Sequence, residues 1–170
     1  MKKRDKAKRS KQSKKSRFGE LEPQYNFALN PYPDVRFSKC PNCEQKTGQR
    51  KLPLLIHVDP MHLIALNYTC RYCARCDLLI AHRDEIETLL THMFAQRDPS
   101  VIGNDYLIFG TVERQAWREG LQEPKPVNEM RAYIHDFKSY RTVQMSMGGW
   151  FHKDVEPPLR QPPPSTDWVK

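Results

Sequence analysis

Two cysteine-bearing stretches constrain this chain more than anything else in it: "KCPNCE" at residues 39–44 and "TCRYCARCD" at residues 69–77. The first offers Cys40 and Cys43, the second Cys70, Cys73 and Cys76 at an even spacing of three. Two residues between cysteines curl the backbone until both sulfurs point to one side. Two such turns facing each other enclose a tetrahedral ion about 2.3 Å from each sulfur. That requirement brings residue 40 against residue 76, so the chain between must double back. No apolar run near the start reads as an export signal. The thiols are therefore expected in a reducing, cytoplasmic setting, where paired Cys-x-x-Cys means metal or redox chemistry more often than structural disulfides.

The intervening residues suit a hairpin. Twenty-nine residues separate Cys43 from Cys73. Within them "KLPLLIHV" (51–58) alternates Leu52, Leu54, Ile56 and Val58 on one face, Asp59-Pro60 breaks the run, and "HLIALNYT" leads back to the cysteines. "DLLIAH" (77–82) reads as a third strand. Residues 37–82 thus resemble a zinc ribbon: knuckle "CPNC", apolar hairpin, knuckle "CARC", third strand. The resemblance implies a three-stranded antiparallel sheet, one structural Zn2+, and a role in binding nucleic acid or protein. It departs from the ribbon pattern where glycine often follows each knuckle, since Glu44 and Asp77 stand there.

Five thiols exceed a four-ligand site by one. The expected ligands are Cys40, Cys43, Cys73 and Cys76, because Cys76 stands directly before the third strand. Cys70 is the alternative ligand, in a set with Cys40, Cys43 and Cys73. Otherwise Cys70 is a small buried residue or a redox trigger that competes with its neighbours. The triple-cysteine run echoes ferredoxin spacing but lacks the later Cys-Pro.

Downstream, "DEIETLLTHMFAQR" (84–97) predicts a helix with Ile86, Leu89, Leu90, Met93 and Phe94 on its core face, and Asp84 with Glu87 as a capping box. "NDYLIFGTVER" (104–114) predicts a strand. "NEMRAYIHDFKSY" (128–140) predicts a helix presenting Met130, Tyr133, Ile134 and Phe137, followed by a strand. Upstream, prolines 31 and 33 predict an extended arm, and residues 157–164 hold five prolines, which predicts an extended tail.

Charge is segregated. Residues 1–17 contain ten basic residues, Lys2, Lys3, Arg4, Lys6, Lys8, Arg9, Lys11, Lys14, Lys15 and Arg17, against one Asp. Their net charge of +9 exceeds the +8 of the whole chain, leaving residues 18–170 at about −1. Such a tail attracts RNA or DNA through phosphate neutralisation and carries no lipid anchor. Tyr72, between Arg71 and Arg75, is the best-placed aromatic for stacking a base, and packing within the ribbon is its plainer role.

The sequence holds no His-Glu-x-x-His, Gly-x-Ser-x-Gly or glycine-rich phosphate loop, and Pro60 excludes a helix joining His57 to His62. No catalytic residue and no small-molecule substrate is inferred. The expected protein is α+β: a disordered basic tail (1–17), an extended arm (18–36), the ribbon (37–82), a helix (83–98), a C-terminal α/β module (104–152) and a disordered Pro-rich tail (153–170). It is expected to bind one Zn2+ and nucleic acid, RNA or a ribonucleoprotein, without catalysis and without a membrane. The alternatives are a protein–protein adaptor, an enzyme or a thiol redox sensor.

Overall fold

A computed structural model describes residues 17–164 and Trp168. Nine of the ten basic residues of the tail, Lys2 to Lys15, lie outside the described residues. The tenth, Arg17, pairs with Glu22 at 3.3 Å.

The predicted hairpin is present and long. Strand β2 (Gly48–Val58) pairs antiparallel with β3 (His62–Cys73) over their full lengths, from Gly48 opposite Tyr72 to Val58 opposite His62. Strand β4 (Leu78–His82) returns antiparallel on β3, with Cys73 opposite Leu78. Leu52, Leu54, Ile56 and Val58 share one buried face, as their alternation demands.

These three strands do not stand alone. They occupy the middle of a seven-stranded sheet ordered β6 (Ile134–Asp136), β5 (Tyr106–Val112), β2, β3, β4, β1 (Asn26–Asn30), β7 (Ser139–Thr142). Strand β1 (Asn26–Asn30) comes from the stretch read as an extended arm, and lies parallel to both β4 and β7. Its brevity hides it in the sequence, and burial on both faces replaces alternation with a plain apolar run. Phe27 and Leu29 face the main core, while Ala28 faces the cysteines.

The segment 104–152 adds its strands to the same sheet. Strand β5 (Tyr106–Val112) pairs antiparallel with β2, and β6 (Ile134–Asp136) with β5. Strand β7 (Ser139–Thr142) stands at the opposite end of the sheet from β6, with only residues 137 and 138 between them. Two residues span that gap only because the sheet curls until its ends meet. The seam is visible in backbone hydrogen bonds: Gln24 N to Asp136 O at 3.0 Å and Lys138 N to Tyr25 O at 2.8 Å. Gly19 and Gly110 permit the closure, since a Cβ there would sit 2.2 Å from Ile134 O and 2.4 Å from His135 O respectively.

Helix α1 (Arg83–Arg97) packs Ile86, Leu90 and Phe94 into the core inside the curl. The expected stripe is narrower than its sequence suggests, because Leu89 is exposed and Glu87 is buried. The capping box does not form: the helix starts one residue early, His82 is its cap, and no side chain caps it. Glu87 instead accepts a hydrogen bond from the Tyr106 hydroxyl at 2.9 Å.

Helix α2 (Arg114–Gln122) buries Ala116 against Leu55, Val112 and Ile134 on the sheet's other face. The helix expected over 128–140 is absent. A single turn, α3 (Val127–Met130), and a 3-10 turn precede β6, so Ile134 and Phe137 are strand and seam residues, not one helical face. Pairing with Gly110–Val112 outweighs the local periodicity there.

The C-terminal segment packs on the fold. Arg160 donates its backbone N–H to Met145 O at 2.7 Å, accepts from the Tyr32 hydroxyl at 2.8 Å and pairs with Asp34 at 2.7 Å. Beyond it Trp168 lies in the core, 1% exposed. Among the described residues no helix is long and apolar enough to cross a membrane.

Candidate metal centre

The Sγ atoms of Cys40, Cys43, Cys73 and Cys76 all lie within 4.8 Å of one another. Cys40 Sγ is 3.9 Å from Cys76 Sγ, and Cys43 Sγ is 3.5 Å from Cys73 Sγ. All are free thiols. A tetrahedron with metal–sulfur bonds of about 2.3 Å has edges of about 3.8 Å, so these spacings fit one ion. Each pair brings one sulfur from each knuckle together, which makes the cluster a cross-link between residues 40–43 and 73–76.

The first knuckle is a tight hairpin loop. Cys40 N donates to Gln45 O at 2.8 Å, Glu44 N donates to Cys40 O at 2.9 Å, and Lys39 bridges Lys46. Asn42 N points at Cys40 Sγ from 3.4 Å. The loop is tied to β3 by Arg71, whose Nε donates to Phe37 O at 3.2 Å and to Thr47 Oγ1 at 3.1 Å.

The second knuckle is the turn between β3 and β4. Asn26 of β1 holds it from outside, donating Nδ2 to Cys76 O at 3.1 Å and its backbone N–H to Asp77 O at 2.8 Å. Asp77 also accepts from the Tyr72 hydroxyl at 3.2 Å and from Lys138 Nζ at 2.9 Å. Burial raises the Asp77 carboxyl, but these two donors outweigh it and hold the pKa below the ordinary value.

Glu44 and Asp77 stand where a ribbon pattern has glycine, and both take the left-handed conformation, with φ of 61° and 50°. The knuckles therefore keep the geometry that glycine serves, at a cost of about 1–2 kcal/mol for a side-chain-bearing residue. Asp77 is held there by its partners, whereas the exposed Glu44 side chain has none among the described residues. Glu44→Gly is accordingly expected to stabilise the metal-loaded protein by up to about 1 kcal/mol, after glycine's larger unfolded-state entropy is set against the relief. A thermal melt checks it, and a lowered midpoint would contradict it.

Around the thiols lies an apolar shell of Ala28, Tyr32, Leu78, Ile80 and Val143, with Val35, Phe37 and Met145 at its edge. Cys40 and Cys73 are 1% exposed. Burial opposes ionisation at Cys73, but N–H donors from Cys76 and Arg75 and the neighbouring thiols bring its pKa down to about 7. The Cys43 thiol, then burial, push Cys76 up to about 12, and burial raises Cys40. Four packed thiols thus resist joint ionisation on their own, which is the charge balance that a divalent cation supplies.

Cys70 is not part of the cluster. It lies an odd number of residues from Cys73 on β3 and so points to the opposite face, fully buried in the main core. Burial drives its pKa well above the ordinary thiol value. Neither the alternative ligand set nor a thiol competing for the ion fits this placement. Cys70→Ala is expected to keep the full metal stoichiometry and to cost about 1 kcal/mol of stability from the small cavity. Metal analysis beside a denaturation curve tests both halves, and a loss of metal would put Cys70 back among the ligands.

His57 and His62 stand apart from the thiols, 3.6 Å from Asp59 and 3.7 Å from Asp98 respectively. Among the described residues no other group of three or more Cys, His, Asp or Glu side chains converges on a common point. Tyr72 is not free to stack a base: the Arg50 guanidinium covers its ring at 4.0 Å and Tyr25 meets it edge-on at 5.8 Å. The contribution of β1 and of the residues at and just before β7 to the knuckles was invisible in the sequence, because Asn26, Lys138 and Arg141 carry no motif. Compared with protein-family models, curated proteins and solved structures, the chain matches none.

Proposed function

We propose that the protein is a zinc-binding, non-catalytic module of zinc-ribbon type that engages nucleic acid, with the ion as a structural cross-link. The observation that carries the metal reading is the four-sulfur cluster with edges of 3.5 and 3.9 Å. An all-thiolate, four-coordinate site is closed, and keeps no open position for a substrate or an activated water. Bound there, zinc supplies a cross-link between the first knuckle and the β3–β4 turn.

The nucleic-acid reading rests on charge. To the +9 of residues 1–17 the metal end of the fold adds exposed Lys39, Lys46, Arg50, Arg75 and Arg141. Arg141 reaches the first knuckle directly, donating to Asn42 Oδ1 at 2.6 Å. Contacts of this kind are largely indifferent to sequence and steeply salt dependent. On a single strand, ten neutralised phosphates give a slope of about −7 in log K against log salt.

Generic RNA is therefore expected to bind the full chain at low salt, with a slope that falls sharply when residues 1–17 are deleted. Absence of binding at low salt overturns this reading and favours an adaptor. The adaptor has its own observation, a fully exposed Trp150 three residues along the chain from half-exposed Met147.

A further inference from the structure

On the outer face of β2–β3–β4, next to the thiols, lies a cavity of about 410 Å³ lined by Arg36, Ser38, Gln49, Thr69, Arg71, His82 and Glu85. Its floor follows from strand parity: Gln49 stands opposite Arg71, and both point away from the barrel core, as does His82 of β4. Its rim is the loop that carries Arg36 and Ser38 towards Cys40, with Glu85 of α1 on the other side.

His82 is 5% exposed, and its ring is fixed. Asn30 Oδ1 accepts from Tyr32 N at 3.0 Å, while Asn30 Nδ2 donates to Val35 O at 2.8 Å and faces His82 Nδ1 at 3.0 Å. Asn30 thus offers His82 an N–H, so Nδ1 accepts and the ring proton resides on Nε2. Burial, then the nearby Arg36, lower the pKa of this imidazole, which keeps it neutral at pH 7. Among the described residues Nε2 has no partner, and neither do the two terminal nitrogens of Arg71, whose Nε alone is engaged. The one carboxylate of the lining, Glu85, is turned to the Tyr68 hydroxyl at 2.5 Å and to Arg36 at 3.9 Å. Asp84 pairs with Arg36 at 3.0 Å and does not line the cavity.

We propose that this cavity binds a small phosphomonoester, its phosphate held by the Arg71 guanidinium and the His82 Nε2–H, with the Ser38 and Thr69 hydroxyls completing the donor set. Donors converging from two strands and a loop suit the tetrahedral oxygens of a phosphate better than a planar carboxylate, and Arg presents a fork matched to it. The volume is within the range of small-molecule sites and leaves room for the ester's remainder beyond the phosphate. The four-thiol clamp gains a purpose here, because it fixes the two stretches, 36–40 and 71–73, that form two of the walls. None of the residues lining the cavity belongs to the basic tail.

The test uses the full-length, metal-loaded protein, titrated with inorganic phosphate, ribose 5-phosphate and AMP by calorimetry and phosphorus NMR. One saturable site is expected, with the esters binding at least as tightly as inorganic phosphate. Thr69→Glu, an exposed strand position, sets a carboxylate in the cavity and should weaken binding roughly tenfold or more. Glu85→Gln preserves an acceptor for Tyr68, removes the one negative charge of the lining and should tighten binding a few-fold. Deleting residues 1–17 should leave the affinity unchanged. The proposal is overturned if no probe binds at about 10 mM, if inorganic phosphate binds but both esters are excluded, or if binding survives Thr69→Glu and disappears with the tail.

Discussion

Cys73→Ser protein is expected to carry almost no zinc, where one equivalent per chain is expected of the wild type. Serine is a poor ligand for a site built of soft sulfur, and Cys73 is 1% exposed within the apolar shell. The loss should remain local. The main core, from Phe27 and Leu54 to Leu90 and Ile108, lies inside the curled sheet and shares no side chain with the thiol cluster. In isolated zinc fingers the metal supplies about 10–16 kcal/mol and the apo form is unfolded. Here a fraction of that, several kcal/mol, is expected, with the far-ultraviolet dichroism largely kept. The freed element is the first knuckle, whose exposed Lys39 and Lys46 become tryptic sites once the loop opens. Wild type treated with a chelator should show the same two cleavages. If Cys73→Ser retained zinc, or stayed uncut beside a cleaved chelated wild type, the cross-link would not be what holds the loop.

The cysteines were legible in sequence because their constraint is local: two residues between sulfurs and a hairpin's length between pairs. The alternation of Leu52, Leu54, Ile56 and Val58 was legible for the same reason, since the other face of β2 carries exposed Lys51 and half-buried His57 beside the buried Pro53 and Leu55. What the sequence concealed depends on partners distant along the chain. Strand β1 has no period to betray it, because its neighbours β4 and β7 cover its edges and both its faces are buried. Residues 134–142 alternate too briefly to outweigh a helical reading of 128–140, and they become strand because β5 and residues 21–30 offer them unpaired edges. Cys70 fell between the two cases. Its spacing to Cys73 matched the ligands, and only the parity of β3 separates it from them.

Trp168→Ala is expected to be among the most damaging single substitutions outside the thiol cluster. Composition alone assigns the C-terminal stretch to an extended, solvated tail, because its prolines cannot join a helix or a sheet interior. Yet the Trp168 indole packs against Phe94 of α1 and Tyr106 of β5, with ring centroids 5.8 and 6.0 Å away. Its Nε1–H donates to Asn104 O at 3.1 Å, and Thr91 Oγ1 donates to its backbone carbonyl at 3.2 Å. A buried ring with its one polar atom satisfied contributes its full apolar area. Truncating it to alanine should cost about 3–5 kcal/mol, roughly 10 °C in the melting midpoint for a chain of this size. Trp150 provides the internal contrast: it is 100% exposed, and its alanine variant should fall within about 0.5 kcal/mol of wild type. A chain ending at residue 164 should melt with Trp168→Ala and not with Trp150→Ala. Equal midpoints for both tryptophan variants would mean that the C-terminal end does not dock between α1 and β5 in solution.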